Sequence, residues 1–225
     1  MRILSFIFLF LLFVSNGFGQ ADYPDYRNKK ESFSKIPDKQ IKDELASFTL
    51  AGVEESIGKP ALGKVPVTSY GKDYLAFDGN NVKVIVRTAP FNATGHKLQK
   101  VEEHVVKIDN KPFYGNYGSL PKTMIKSVSV VIGKDSVEIP ASAFFDIYDL
   151  NFGYRDASGT LRSTSAIYFS SDKKKIYIYL LNRANEGNYE VTWVIQDKKY
   201  LRRVLDYGFW LESLTVKNRG NDYWW

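Results

Sequence analysis

The sequence contains no cysteine among its 225 residues. This absence excludes a disulfide framework, a thiol nucleophile and a thiolate metal site. Histidine is also scarce, because the chain has only His96 and His104. On an extended strand His104 would share a face with Glu102, but a zinc site needs a further ligand that the sequence does not nominate. We therefore expect no metal and no other cofactor.

Long apolar runs are absent except at the N-terminus, where residues 3–14 are apolar apart from one serine. A positive charge precedes the run, and Gly17 and Gly19 follow it as small residues two apart. This pattern predicts a cleavable signal peptide over residues 1–19, with Gln20 as the first mature residue. An uncleaved membrane anchor is disfavoured because a spanning helix needs about 20 apolar residues and the run at residues 3–14 is shorter. No later segment is predicted to cross a membrane.

An exported chain without cysteine fits a bacterial envelope protein better than a eukaryotic secreted one, since many secreted proteins of oxidising compartments use disulfides. We expect a periplasmic, outer-membrane-associated or extracellular protein of a Gram-negative bacterium. The chain carries 31 basic and 25 acidic side chains, a net charge of +6, spread along its length. Nucleic-acid binding would need one dense basic face, so we expect an envelope protein or a glycan as the partner. The oligomeric state is left open.

The chain after the signal peptide is long enough for one large or two small domains. Aromatic residues make up 15% of the chain and charged residues 25%, which is typical of a folded protein. Residues 20–34 are polar and lack periodicity, which predicts a flexible N-terminus. Residues 35–225 are predicted to form a single mostly-β domain. A division near residue 120 is the alternative, although no linker composition marks it.

One short helix is predicted between Asp38 and Phe48. Ile41, Leu45 and Phe48 recur at the spacing of one helical face. Asp38 is placed where a helix N-cap is preferred, and Gly52 can end the segment.

Short β-rich runs separated by turn residues follow, and three pairs of them predict hairpins. The hairpins span residues 74–87, 128–139 and 166–180. In residues 189–196 the odd positions are Tyr, Val, Trp and Ile, which predicts that they face inward while Glu190, Thr192 and Gln196 face water. Together these runs predict a mainly β fold, an antiparallel β-sandwich or open barrel of the immunoglobulin-like or jelly-roll-like kind with one short N-terminal helix.

Two irregular segments, residues 109–121 and 146–155, combine turn residues with several aromatics. Such loops either pack back on the body or form a binding surface. The last three residues are also aromatic and would either dock on the body or anchor a partner. The candidate binding residues are Phe113, Tyr114, Tyr117, Tyr148, Phe152, Tyr154, Tyr223, Trp224 and Trp225.

Catalysis has less support in the sequence. Asp146 and Asp149 lie among aromatics and could act as the paired carboxylates of a polysaccharide hydrolase. Three residues apart in an extended segment, however, they would point to opposite faces, and aspartates also cap turns. We name no catalytic residue. The hypothesis favoured by the sequence is a non-enzymatic binding or structural module of the envelope, with a carbohydrate-binding domain or a hydrolase using Asp146 or Asp149 as alternatives.

Overall fold

Two antiparallel five-stranded sheets make up most of the computed structural model, which describes residues 23–184 and 187–209. One α-helix, α1 (Lys39–Ala46), precedes them in the chain. The sheets pack on a shared apolar core in a sandwich-like arrangement and do not close into a barrel. The predicted mainly β fold with one short N-terminal helix is therefore confirmed.

The first sheet contains, in spatial order, β1 (Lys64–Pro66), β11 (Ala166–Phe169), β12 (Lys175–Asn182), β13 (Tyr189–Gln196) and β14 (Lys199–Tyr207). The second sheet contains β2 (Ser69–Tyr70), β3 (Tyr74–Gly79), β4 (Val82–Pro90), β7 (Thr123–Ile132) and β8 (Asp135–Val137). Two small sheets pair β5 (Leu98–Val101) with β6 (His104–Ile108) and β9 (Tyr154–Arg155) with β10 (Leu161–Arg162). Short 3₁₀ segments occur at Phe33–Lys35, Val53–Glu55, Ala93–Gly95 and Ala141–Ala143.

The predicted hairpins are confirmed, and several hairpin turns of the described residues consist of only two residues. The β3–β4 turn consists of Asn80 and Asn81, whose φ angles are 51° and 63°. The β13–β14 turn consists of Asp197 and Lys198, with φ angles of 50° and 58°. Two successive positive φ angles match the twist of the flanking strands, which is why such short connections are favoured in hairpins.

The main core lies between the two sheets. Tyr189, Val191, Trp193 and Ile195 of β13 point into it, as their alternation predicts. The indole Nε1 of Trp193 donates a hydrogen bond to the Ala143 carbonyl at 3.0 Å. This bond satisfies the polar atom of a fully buried side chain and fixes the facing loop against β13.

Helix α1 covers the outer face of the first sheet. Ile41 and Leu45 pack with Tyr177 of β12 and Val194 of β13 in a second apolar cluster. The helix begins after Asp38, whose Oδ1 accepts a hydrogen bond from the Ile41 amide at 2.9 Å, as expected of an N-cap.

This second layer changes the environment of the even positions of β13. Glu190 and Thr192, expected to face water, are only 3% and 1% exposed. The expectation is wrong because it assumed one solvated face, whereas the helix and the segment after it cover that face. Gln196, at the end of the strand, remains partly exposed.

A third apolar cluster forms beside the sandwich. Val106 and Ile108 of the β5–β6 hairpin contact Phe113, Tyr117 and Tyr148 from the two aromatic segments. The hairpin thus covers the aromatics on one side, and the N-terminal residues approach them from another.

Residues 23–36, here called the N-terminal strap, pack along this cluster and along β14. The Arg27 guanidinium lies between the rings of Tyr117 and Tyr207, 4.2 and 4.3 Å from their centroids. The Leu205 amide of β14 donates to the Glu31 carbonyl at 3.0 Å. Cation–π and backbone contacts thus join residues 23–34 to the body of the protein, and the flexibility expected of residues 20–34 stays a prediction.

Strand pairing joins the chain on both sides of residue 120. In the first sheet β1 pairs with β11, and in the second sheet β4 pairs with β7. Both sheets are thus built from residues before and after that point. Over residues 23–184 and 187–209, no helix combines the length and apolar character needed to span a bilayer.

Candidate functional site

An open polar cleft of about 540 Å³ lies where the segment before β7 meets the ends of two loops. Its volume is in the range of ~300–1,000 Å³ that is usual for small-molecule sites. Most of its side chains carry amide, hydroxyl, ammonium or carboxylate groups. The residues that line it are Asn116, Lys122, Thr123, Asp149, Leu150, Asn151, Asn182 and Ala184.

Asp149 fixes one wall of the polar cleft. Its Oδ1 accepts hydrogen bonds from the backbone amides of Lys122 at 2.8 Å and Thr123 at 3.0 Å. Its own amide donates to the Thr123 carbonyl at 3.0 Å. Asp149 has a φ of 51°, a left-handed conformation that Asp and Asn adopt more readily than most residues. The carboxylate therefore holds the loop to the start of β7.

Two amide side chains fix the opposite wall. The Asn151 amide N–H donates to Oδ1 of Asn182 at 2.8 Å, and Nδ2 of Asn182 donates to the Gly187 carbonyl at 3.2 Å. The Asn151 side chain itself donates to the Arg183 carbonyl at 3.3 Å. These bonds join the loop after Asp149 to the end of β12, so the cleft has walls that are ordered before any ligand binds.

Asn116 and Lys122 differ from these wall residues. Asn116 is half-buried and Lys122 is exposed. Neither side chain forms a hydrogen bond or ion pair with the residues that the structure describes. An amide offers two donors and an acceptor, and an ammonium offers three donors. These two groups are therefore available to a ligand in the cleft.

Sequence reasoning did not find this site, apart from naming Asp149. Its residues come from three separate parts of the chain, and none of them forms a motif by spacing. The only local signal is that residues 115–123 and 149–153 are rich in turn residues, which places them in loops.

The aromatic residues singled out from the sequence lie mostly in the interior. Phe113, Tyr117 and Tyr148 belong to the third cluster, while Tyr114 and Phe152 pack in the main core. None of these five is more than 8% exposed. Burial raises the pKa of both Tyr114 and Tyr148 to about 12.

The five aromatics therefore form no exposed recognition face, because the loops pack back on the body. Tyr154 is half-buried, with the Arg183 guanidinium 4.3 Å from its ring centroid. Tyr223, Trp224 and Trp225 lie outside the described residues.

Asp146, the other proposed carboxylate, is committed to a buried ion pair. Both of its oxygens accept hydrogen bonds from the Arg203 guanidinium, including Nη2 to Oδ2 at 3.0 Å. Glu31 of the strap binds the same guanidinium through Nε at 2.9 Å. Burial alone would lower the pKa of Arg203, but the hydrogen bond and charge of Asp146, together with Glu31, raise it. Asp146 is not among the residues that line the polar cleft, where Asp149 is the one carboxylate.

The histidines also have local partners. His96 Nδ1 lies 2.7 Å from Oδ2 of Asp109, and this hydrogen bond lowers the pKa of Asp109. The His104 ring stacks on Tyr23, with centroids 4.1 Å apart. Glu102 occupies the β5–β6 turn with a φ of 51°, rather than sharing a strand face with His104. No cluster of three metal-ligating side chains occurs in the described part of the chain.

A buried carboxylate that the sequence did not suggest lies between α1 and the first sheet. Glu190 accepts hydrogen bonds from the Leu50 and Ala51 amides, each at 2.8 Å, and from the Tyr179 hydroxyl at 2.7 Å. Burial raises the pKa of Glu190 to about 7, although these donors oppose the shift. Because its hydrogen bonds tie the segment after α1 to β13, we assign it a structural role.

Comparison of the chain with models of known protein families, with curated proteins and with solved structures finds no match.

Proposed function

We propose that this chain is a non-enzymatic binding module of the bacterial envelope and that the polar cleft binds a glycan. The observation that carries the proposal is the set of hydrogen-bonding groups in the cleft, above all the available Asn116 amide and Lys122 ammonium. Sugar hydroxyls both donate and accept hydrogen bonds, so amides and carboxylates complement them. The ordered walls built on Asp149 and Asn182 reduce the entropy lost on binding.

Binding without turnover is favoured by the state of the two aspartates. Glycoside hydrolysis requires an acid and a base on either side of one bond. Both carboxylate oxygens of Asp146 are engaged by the Arg203 guanidinium, and Asp146 does not line the cleft, so it is not placed to donate a proton to a ligand there. Oδ1 of Asp149 accepts two backbone hydrogen bonds, and the cleft supplies no second carboxylate among the residues that line it.

An envelope location is part of the same proposal. The N-terminal pattern of residues 1–19 supports export. Among exported proteins, the lack of cysteine favours a bacterial envelope protein, because many secreted proteins of oxidising compartments use disulfides. Glycans are abundant ligands in that setting, which connects the location to the polar cleft.

The test is binding of the purified protein to a panel of bacterial envelope polysaccharides and their oligosaccharides, measured by isothermal titration calorimetry. The cleft is open and buries part of a ligand, so we expect weak binding, with a Kd of about 1 mM or about −4 kcal/mol for a short oligosaccharide. Asn116→Ala and Lys122→Ala remove the available groups without touching a bond of the walls. Each should weaken binding several-fold.

Lys126→Ala is the matched control, since Lys126 is an exposed lysine of β7 that does not line the cleft. It should bind glycan as the unaltered protein does. Binding that is insensitive to both cleft variants would refute the site. Release of reducing sugar ends during incubation, lost in Asp149→Asn, would refute the non-enzymatic assignment.

A further inference from the structure

A second cleft, of about 340 Å³, separates the N-terminal strap from β14. On the strap side it includes Lys30 and Lys35, and on the strand side it includes Arg202. The full set of lining residues is Lys30, Glu31, Ser32, Lys35, Ile36, Pro37, Arg202, Arg203 and Val204. None of them belongs to the polar cleft described above.

The charges in this cleft are unbalanced. Lys30, Lys35 and Arg202 form no ion pair with any residue in the ranges 23–184 and 187–209. Arg203 is engaged by Asp146 and Glu31. Glu31 is the one acidic residue that lines the cleft, and its carboxylate is held at the Arg203 guanidinium. Three uncompensated cations therefore surround one small concave space.

The register of β14 explains how adjacent arginines take different roles. Arg203 pairs with Trp193 and lies on the inner face of the first sheet, whereas Arg202 pairs with Val194 and lies on the outer face. Leu201 is an extra residue in β14 at this point, and such bulges redirect neighbouring side chains. The pairing with Val194 thus places Arg202 beside the strap rather than in the interior, next to the bulge at Leu201.

Hydrogen bonds of the main chain hold the part of the strap that carries its two lysines. The Leu205 amide donates to the Glu31 carbonyl at 3.0 Å, and the Phe33 amide donates to Oδ2 of Asp206 at 2.8 Å. The side chains of Phe33 and Ile36, which belong to the strap, are buried. The backbone between Lys30 and Lys35 is thus anchored, so the backbone itself gains little further order when an anion binds.

We propose that this basic cleft binds a phosphate group, through the Arg202 guanidinium and the ammonium groups of Lys30 and Lys35. A guanidinium matches two phosphate oxygens with paired N–H donors, and ammonium groups add compact positive charge. The volume admits a phosphate with a small substituent. The group can be carried by a soluble molecule or by a lipid headgroup, and both present the same oxyanion to the cleft.

The test has a soluble arm and a vesicle arm, both with the purified protein. Calorimetry measures binding of inorganic phosphate and pyrophosphate at low salt, and co-sedimentation measures binding to phosphatidylcholine vesicles with and without phosphatidic acid. Arg202→Gln and Lys35→Gln should each weaken binding at least fivefold, and added salt should weaken it further. Lys64→Gln, at an exposed lysine of β1, is the control and should change nothing.

The pattern of results separates the sources. Binding of phosphate without sedimentation on vesicles assigns a soluble ligand, whereas sedimentation on phosphatidic acid that pyrophosphate displaces assigns a headgroup. Circular dichroism checks the fold, and Lys30→Gln, at an exposed side chain, replaces any variant that unfolds. The proposal is overturned if neither ligand binds, or if the cleft variants and Lys64→Gln lose affinity equally. Glycan binding at the polar cleft should be unchanged in Arg202→Gln, so each proposal can fail alone.

Discussion

Glu190 should make the stability of this protein depend on pH in a direction opposite to ordinary acid denaturation. Its pKa is about 7 in the folded protein, against 4.5 for an unperturbed glutamate, and burial is the main cause. A carboxyl whose pKa is raised on folding binds protons more tightly in the folded state. Protonation therefore stabilises the fold, and stability should rise as the pH falls from about 7 towards 4.5.

The magnitude follows from the size of this shift. Between the two pKa values the folded group holds a proton that the unfolded chain has lost. The free energy of unfolding then changes by about 1.4 kcal/mol per pH unit, which gives about 3 kcal/mol over the whole interval. The gain should be complete near pH 4.5 and absent above about pH 8.

Urea denaturation followed by tryptophan fluorescence at half-unit steps from pH 8 to pH 5 measures this slope. Glu190→Gln keeps a carbonyl acceptor for a backbone amide and abolishes the titration, so its free energy of unfolding should change much less over the same range. All other groups of the chain are the same in both proteins, so their contribution cancels in the difference. Glu138→Gln, at an exposed glutamate of the segment after β8, should retain the full slope.

Equal slopes for Glu190→Gln and the unaltered protein would refute the reasoning. That result would mean that the Leu50 and Ala51 amides and the Tyr179 hydroxyl stabilise the carboxylate enough to offset its burial.

Three further changes have consequences that unfolding or proteolysis can measure. Arg203→Met should cost about 3–5 kcal/mol of stability, because it leaves Asp146 buried without its cation, and adding Asp146→Leu should restore part of that loss. Gly118→Ala should free the strap and speed its limited proteolysis, because Gly118 has a φ of 94° and a Cβ there would lie 2.2 Å from the Tyr23 hydroxyl. Asp38→Ala should cost about 1 kcal/mol by removing the α1 N-cap, whereas Asp38→Asn should cost little. A loss below 1 kcal/mol for Arg203→Met, an unchanged cleavage rate for Gly118→Ala, or equal losses for the two Asp38 variants would contradict these expectations.

Much of the secondary structure follows from local pattern. The strand predicted over residues 189–196 is β13 with the same bounds, and its odd positions face the main core. Turn residues predicted the hairpins because Asn and Asp tolerate the positive φ angles that short connections require. These features depend on neighbours in sequence, so one chain suffices to predict them.

The second layer over the first sheet was harder to predict. Alternation identifies one apolar face, but it does not show whether another element covers the opposite face. A signal was present in β12, whose residues are all buried and nearly all apolar or aromatic, as expected for a strand covered on both sides. The same covering explains why Glu190 is buried.

The candidate sites lay beyond sequence reasoning for a different reason. Arg203 meets Asp146 and Glu31 across 57 and 172 residues of sequence, and the polar cleft joins Asn116, Asp149 and Asn182. No spacing rule connects such positions, because tertiary packing alone brings them together. The aromatic loops show the same limit, since composition does not distinguish a ring that packs inward from one that faces a partner.

The edges of both sheets indicate why recognition should use clefts rather than added strands. An uncovered edge strand is a template for pairing with another chain, and β-bulges, lysines and very short strands are known protections. The edge strands β1, β2 and β8 have only two or three residues each. The long edge strand β14 carries the Leu201 bulge and is bonded to the strap at Leu205.

The one other long stretch of edge in the described residues belongs to β7. On the side away from β4, residues 125–129 have no strand partner among the described residues, because Met124 bridges to Tyr148 and β8 pairs only with residues 130–132. Within this stretch, Lys126 is the extra residue of a bulge in the pairing with β4. Both long edges are thus interrupted by a bulge, which disfavours strand addition. The polar cleft and the basic cleft both lie where irregular segments meet strands, and these are the places where side-chain chemistry, rather than backbone pairing, can select a ligand.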